Sequence, residues 1–338
     1  MQTLIKNTNA YRLLKTEILK DGHSHAYLVV FDDPKHLKTA LRSFAKLLFY
    51  AEENDYGEYD DPALKRVADL IEGDKYPDCL VYPRNEKRLT AEEAEEIVEE
   101  CAVRPVEGER KVFLIDKFDE ALPAAQNKLL KVLEEPPQGV VFLLGARTVY
   151  PVLTTVRSRT QKLEILPFSL EEVGACMRRN YSETYSEQQI SLVSALSCGS
   201  VGSAENFLLQ GYYQSVVEDA FALCLSDPFN LPAVVKKVSD KHKKELLTLI
   251  RLIFRDALFL KTALRGGADK STLLRRAEKH LFLRPEKKRI ESVSEKYTLR
   301  SLIFAQDKLT EAEKQLKFNA NFTQCIEICI ASILEENK

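Results

Sequence analysis

The sequence lacks any Cys-x-x-Cys pair. Its seven cysteines, at 79, 101, 176, 198, 224, 325 and 329, are odd in number and widely spaced. That pattern argues against a disulfide framework and for reduced thiols that act as small buried hydrophobes in a cytosolic protein. An uncharged apolar run of about 18 residues is also missing, so no membrane contact through a spanning helix is predicted. The N-terminus, MQTLIKNTNAYRLLK, has neither an apolar h-region nor a small-residue cleavage site, which argues against export. Net charge is nearly absent: 49 Lys and Arg against 51 Asp and Glu give −2. The molecule as a whole therefore has no strong attraction to nucleic acid or to anionic lipid. The five histidines (23, 25, 36, 242 and 280) form no His-Glu-x-x-His arrangement, and no Gly-x-Ser-x-Gly elbow occurs. Asp116 and Asp119 by themselves are too little for a two-metal centre.

What is present is material for a core. The chain has 338 residues, 45% of them apolar, enough for two or three domains. Apolar positions at Leu4, Ile5, Tyr11, Leu13, Leu14, Ile18 and Leu19 predict a helix over 3–20. The compact run Ala26–Phe31 reads as a buried strand, and Thr39–Tyr50 follows with helical spacing, a strand–loop–helix entry into a parallel α/β sheet. Further strands are predicted at Asp78–Tyr82, Val112–Ile115, Val140–Gly145 and Lys162–Leu166. Thr90 with Glu93 forms a capping box for a helix reaching Cys101, and a helix at Ala124–Leu133 stops at Pro136-Pro137. After Pro167-Phe168, Ser169 and Glu172 make a second capping box, and no strand is expected beyond it. Short helices at Leu170–Asn180, Ser186–Ser197 and Val201–Gln210 are punctuated by Gly199, Gly202 and Gly211. Longer ones follow at Leu246–Leu264, Ser301–Leu316 and Phe322–Glu335. The expected division is an α/β domain over 1–167, a small helical domain over 168–212 and an all-helical domain over 213–338.

Charge is uneven. Residues 236–289 hold 17 Lys and Arg against 6 Asp and Glu, a local net of +11, and Glu52–Asp61 holds six acids and no base. Solvated surfaces account for both; the sharper reading of the basic stretch is a face toward DNA or an acidic partner.

A phosphate-binding loop needs G-x-x-x-x-G-K-[ST] between the first strand and its helix, because only glycines let backbone amides crowd the phosphates. Here the segment reads Asp32-Asp33-Pro34-Lys35-His36-Leu37-Lys38-Thr39. Lys38 and Thr39 stand where the motif has its lysine and hydroxyl. The glycine positions hold Asp32 and Leu37, and Pro34 removes one amide donor. Carboxylates in this loop would repel a triphosphate, so no ATP binding is expected.

The order strand, Asn127-Lys128-Leu129-Leu130-Lys131-Val132-Leu133-Glu134-Glu135-Pro136-Pro137, strand, then Thr155-Val156-Arg157-Ser158-Arg159, resembles the bacterial DNA polymerase III clamp-loader subunits of the AAA+ family. The resemblance implies an α/β N-terminal AAA+ domain with a RecA-like parallel sheet, a small helical lid and an all-α C-terminal collar domain that assembles into a hetero-oligomer. It also implies two more nucleotide elements. Where the family follows a strand with Asp-Glu, this chain has Asp116-Lys117, and lysine is no base at neutral pH unless its pKa falls by several units. Where the family carries a lid arginine in Gly-x-x-Arg, this chain has Gly202. The Ser-Arg segment survives: Arg159, beside Arg157 and Ser158, matches the arginine that reaches a neighbouring subunit's ATP site, and Thr160 replaces the usual cysteine. Relatives often hold zinc with four cysteines after the first helix; 49–76 contains none, so no zinc is expected.

Taken together, the resemblance implies a non-enzymatic stator of the delta-prime type. It would serve in the DNA polymerase III holoenzyme, help load the sliding clamp on primed DNA, and have gamma/tau and delta subunits as partners in the cytoplasm. An active ATPase of the gamma/tau type is the alternative. Nothing in the residues supports nucleotide polymerisation.

Overall fold

Strands buried on both faces read as continuous apolar runs, and such runs form the centre of the α/β unit. The computed structural model describes residues 1–20, 22–50, 59, 61–85, 87–238, 242–263, 281–317 and 320–337. The chain divides into two packed units, Met1–Phe168 with Ser200–Gly202, and Ser169–Gly199 with Ser203–Lys338.

In the first unit, helices α1 (Gln2–Lys6) and α2 (Asn9–Leu19) precede β1 (Ala26–Phe31), all six residues of which are buried. The single helix expected over 3–20 is two, because the Thr8 hydroxyl accepts the Tyr11 N–H and restarts the helix there. Helix α3 (Leu37–Leu48) follows, then α4 (Pro62–Glu72), β2 (Cys79–Tyr82) and α5 (Ala91–Cys101). Next come β3 (Lys111–Ile115), α6 (Pro123–Glu134), β4 (Val140–Ala146), α7 (Thr154–Arg157) and β5 (Gln161–Ile165). Helix α4 is absent from the sequence reading, although Asp61 caps it through the Ala63 N–H and Pro62 opens it; its buried positions are only Ala68 and Ile71. Of the acidic stretch Glu52–Asp61, only Tyr59 and Asp61 lie within the described residues.

All five strands are parallel, in the order β2-β3-β4-β1-β5. Phe113 on β3 is in register with Phe142 on β4, and their rings stack at 5.2 Å between centroids. Ile97 of α5 and Leu129 and Leu133 of α6 close the same apolar core. The opposite face of the sheet is met by α3. The capping box predicted at Thr90 and Glu93 is made in full.

The second unit is helical throughout its described residues. Its elements are α8 (Leu170–Tyr181), α9 (Glu187–Leu196), α10 (Val201–Gln210), α11 (Tyr213–Leu225), α12 (Leu231–Lys237), α13 (Lys243–Ala263), α14 (Lys287–Lys296), α15 (Leu299–Lys317) and α16 (Phe322–Glu336). Ser169 and Glu172 make their box at the head of α8. The first residues of α10, to Gly202, group with the first unit. Helix α13 packs against α9, α11, α14 and α15, so the helices of 168–212 and those beyond do not separate at 212. This architecture, a five-stranded parallel sheet with helices followed by a large all-helical region, is the fold class the sequence implied.

Several cations of the basic stretch are engaged inside the second unit. Arg289 pairs with Glu218 and lies over the Phe221 ring at 4.0 Å, while Arg255 covers Phe282 at 3.9 Å. Residues 239–241 and 264–280 of that stretch lie outside the described residues. Six cysteines are buried as expected, but Cys198 is exposed, on a residue with φ of 49° between α9 and α10. No described helix is long and apolar enough to cross a membrane.

Candidate functional site

The turn from β1 to α3 is where a nucleotide's phosphates would lie. It is tight: the His36 N–H donates to the Asp33 carbonyl at 3.1 Å, and α3 starts at Leu37. Leu37 is 1% exposed and packs under the sheet at Gly145 of β4. A Cβ at Gly145 would stand 3.3 Å from Leu37 Cγ and 2.8 Å from Leu41 Cδ1, so the glycine of this contact sits on the neighbouring strand. Leucine thus replaces an open amide cradle with core packing. Asp32 is exposed, within 3.4 Å of the Arg147 guanidinium. Asp33 is fully buried, and its Oδ2 accepts the Gly202 N–H at 2.7 Å.

Lys38 is turned to a carboxylate of its own unit. Its Nζ lies 2.7 Å from Asp74 Oδ2, and Arg42 grips the same carboxylate through Nε at 2.9 Å and Nη2 at 2.7 Å. Lys38 and Asp74 border a cleft of about 480 Å³ beside the edge strand β2, lined also by Tyr76, Tyr82 and Arg84. Burial pushes the Asp74 carboxyl up, but the hydrogen bonds and charges of Arg42 and Lys38 outweigh it and hold it below the usual range. A carboxyl depressed in the folded state stabilises the fold above its ordinary pKa and loses that contribution as pH falls through the folded value. Asp74→Asn is therefore expected to lower stability at neutral pH and to flatten the acid limb below about pH 4. Urea midpoints measured across that range check it; parallel wild-type and variant curves would remove the Lys38–Asp74–Arg42 pairing. Thr39 is half-buried, and its carbonyl accepts the Ser43 hydroxyl.

At the end of β3, the Asp116 N–H donates to the Tyr82 carbonyl, and Asp116 Oδ1 accepts the Lys117 N–H at 2.9 Å. Lys117 takes a left-handed conformation, φ 51°. Burial raises the Asp116 carboxyl, against the opposing pull of that amide and of the Lys117 and Lys38 charges. Asp119 is raised too, chiefly by burial. Among the described residues no group of three or more His, Cys, Asp or Glu stands close enough to hold a metal ion.

Arg159 follows α7, whose cap residue Leu153 gives its N–H to Gln126 Oε1 at 2.9 Å. The Gln126 amide also donates to the carbonyls of Ala121 (3.0 Å) and Pro151 (3.2 Å). Gln126, buried on α6, therefore ties the turn after Asp116 to the segment that leads into α7. The Arg159 Nη1 donates to the Thr155 carbonyl at 2.7 Å and to Ser158 Oγ at 3.2 Å; its Nη2 pairs with Glu134 at the end of α6. Arg157 is exposed, and the Thr160 hydroxyl donates to the Val156 carbonyl at 3.2 Å.

The structure thus brings Lys38 and Asp116 to one region and Gly202 to Asp33, and leaves Arg159 apart, paired within its own unit. Sequence reasoning missed Asp74, Gln126 and Glu134 as partners. Glu134 lies within the run 127–137 and Gln126 just before it, but nothing in the run says what their side chains meet.

Residues 6–169 match a family model described as DNA polymerase III, delta subunit. Over this segment, just under half of its length, the chain is similar to DNA polymerase III clamp-loader subunits. Among curated relatives, the DNA polymerase III subunit gamma of Buchnera aphidicola subsp. Baizongia pistaciae is 31% identical over 120 residues, 35% of this chain and 32% of that protein. The subunit delta' of Bacillus subtilis is 28% identical over 156 residues, 46% of each. The chain spans less than half the length of either. A solved gamma subunit-related protein of Thermotoga maritima covers 97% of this chain and 99% of its own at 14% identity, with a TM-score of 0.43. Both names, gamma and delta', thus occur among the relatives.

Proposed function

We propose that the protein is a non-catalytic clamp-loader subunit of the delta-prime type. In this reading it binds no ATP, presents Arg159 to the ATP site of a neighbouring gamma/tau-type subunit, and assembles with delta as well, acting indirectly on the sliding clamp at primed DNA. The observation that carries it is the β1–α3 turn. A buried Asp33 carboxylate and a core-packed Leu37 stand where a triphosphate needs free backbone amides, and Lys38 is already paired with Asp74. The arginine fork, by contrast, is kept on a half-exposed segment. Calorimetric titration of the protein with magnesium ATP is expected to give no binding in the micromolar range; a micromolar Kd would defeat the reading.

A second reading, an active ATPase of the gamma/tau type, draws on the retained Lys38, Thr39 and Asp116 and on the gamma relative. It requires phosphate release by the pure protein, with or without primed DNA.

A further inference from the structure

We infer that Asp33 is a built-in anion that takes the place of a nucleotide phosphate at the start of α10, so that Ser200–Gly202 is held on the α/β unit with no ligand bound. This deepens the nucleotide-free reading and rests on it. The first amides of a helix are unpaired and carry partial positive charge, which is why phosphates settle there. Here the occupant is a side chain of the β1–α3 turn itself. Asp33 is 0% exposed, and its Oδ2 takes the Gly202 amide at 2.7 Å. Its Oδ1 is also buried and has no hydrogen-bond partner among the described residues. A buried carboxylate with one oxygen unsatisfied is costly, so its place is set by what it grips.

The contact also explains the glycine. A Cβ on residue 202 would stand 2.3 Å from Asp33 Oδ1 and 2.8 Å from Lys35 Cβ. No side chain fits there while Asp33 is in place, so the arginine that the family resemblance leads one to expect at 202 and the carboxylate at 33 exclude one another. The altered loop and the missing lid arginine are therefore one packed feature and not separate losses.

Hydrogen–deuterium exchange on the full chain tests this. In Asp33→Ala the Gly202 amide is expected to exchange about tenfold faster or more, while the amides of β1 and β4 keep wild-type rates. Millimolar inorganic pyrophosphate is expected to slow exchange at Gly202 in Asp33→Ala and to leave the wild type unchanged. Asp33→Asn, which keeps an acceptor without the charge, is expected to fall between the two and carries the test if the alanine variant does not fold. Unchanged Gly202 exchange in the folded variants, or equal protection of the wild type by pyrophosphate, would overturn the inference. The stator reading would survive unchanged exchange, because the magnesium ATP titration tests it separately.

Discussion

Arg159→Ala is expected to leave the fold intact and to slow hydrolysis at the neighbouring subunit's site by about a thousandfold, the lower end of what an arginine supplied in trans contributes. The fold survives because the Arg159 pair with Glu134 is half-exposed, at 31% and 46%, and surface pairs of this kind contribute about 0–1 kcal/mol. The same weakness makes the guanidinium available: leaving Glu134 for a phosphate costs little. Arg159→Lys is expected to rescue poorly, since an ammonium lacks the planar fork that meets two phosphate oxygens at once. Glu134→Gln gives the opposite sign. It removes the competing carboxylate within the chain and is expected to keep or raise the rate. Single-turnover phosphate release in the reconstituted complex measures all three; a wild-type rate in Arg159→Ala would end the assignment of the finger.

Gln126→Ala is expected to lower stability by about 3 kcal/mol or more. The side chain is 1% exposed and makes three hydrogen bonds, to the carbonyls of Ala121 and Pro151 and from the Leu153 N–H. Alanine strands all three backbone groups, each costing about 1–3 kcal/mol if left unmet, and leaves a cavity beside them. Water entering that cavity recovers part of the sum, which is why the expected loss stays near its lower bound. Gln126→Glu, ionised, cannot donate to two carbonyls and is expected to do no better. Urea unfolding with an unchanged slope gives the number, and a loss under about 1 kcal/mol would mean the bridge is not made in solution. Because Leu153 caps α7, the variant is also expected to reduce the Arg159-dependent rate while Arg159 itself is present.

The central strands were legible because each carries an unbroken apolar run: Ala26–Phe31 and Val140–Ala146 are buried along their whole length, whereas the edge strand β5 alternates and buries only Leu163 and Ile165. The capping boxes at Thr90 and Ser169 were legible because their partners are three residues apart. Helix α4 was not, since only two of its residues are buried and the apolar periodicity is correspondingly faint. Nor was the exposure of Cys198, which depends on a left-handed turn between helices.

The alternation of apolar strands with helical segments determined a parallel α/β unit, and the residues at 32–39 determined that the turn after β1 is no ordinary phosphate loop. Those properties are local in the chain. Tertiary structure alone decided what the odd residues do: Leu37 packs at Gly145, Lys38 is held by Asp74, Asp33 meets Gly202 across 169 positions of sequence, and Arg159 rests on Glu134. A side chain's partner across such distances is set by which faces the sheet and its helices bring together, and no spacing rule along the sequence carries that geometry.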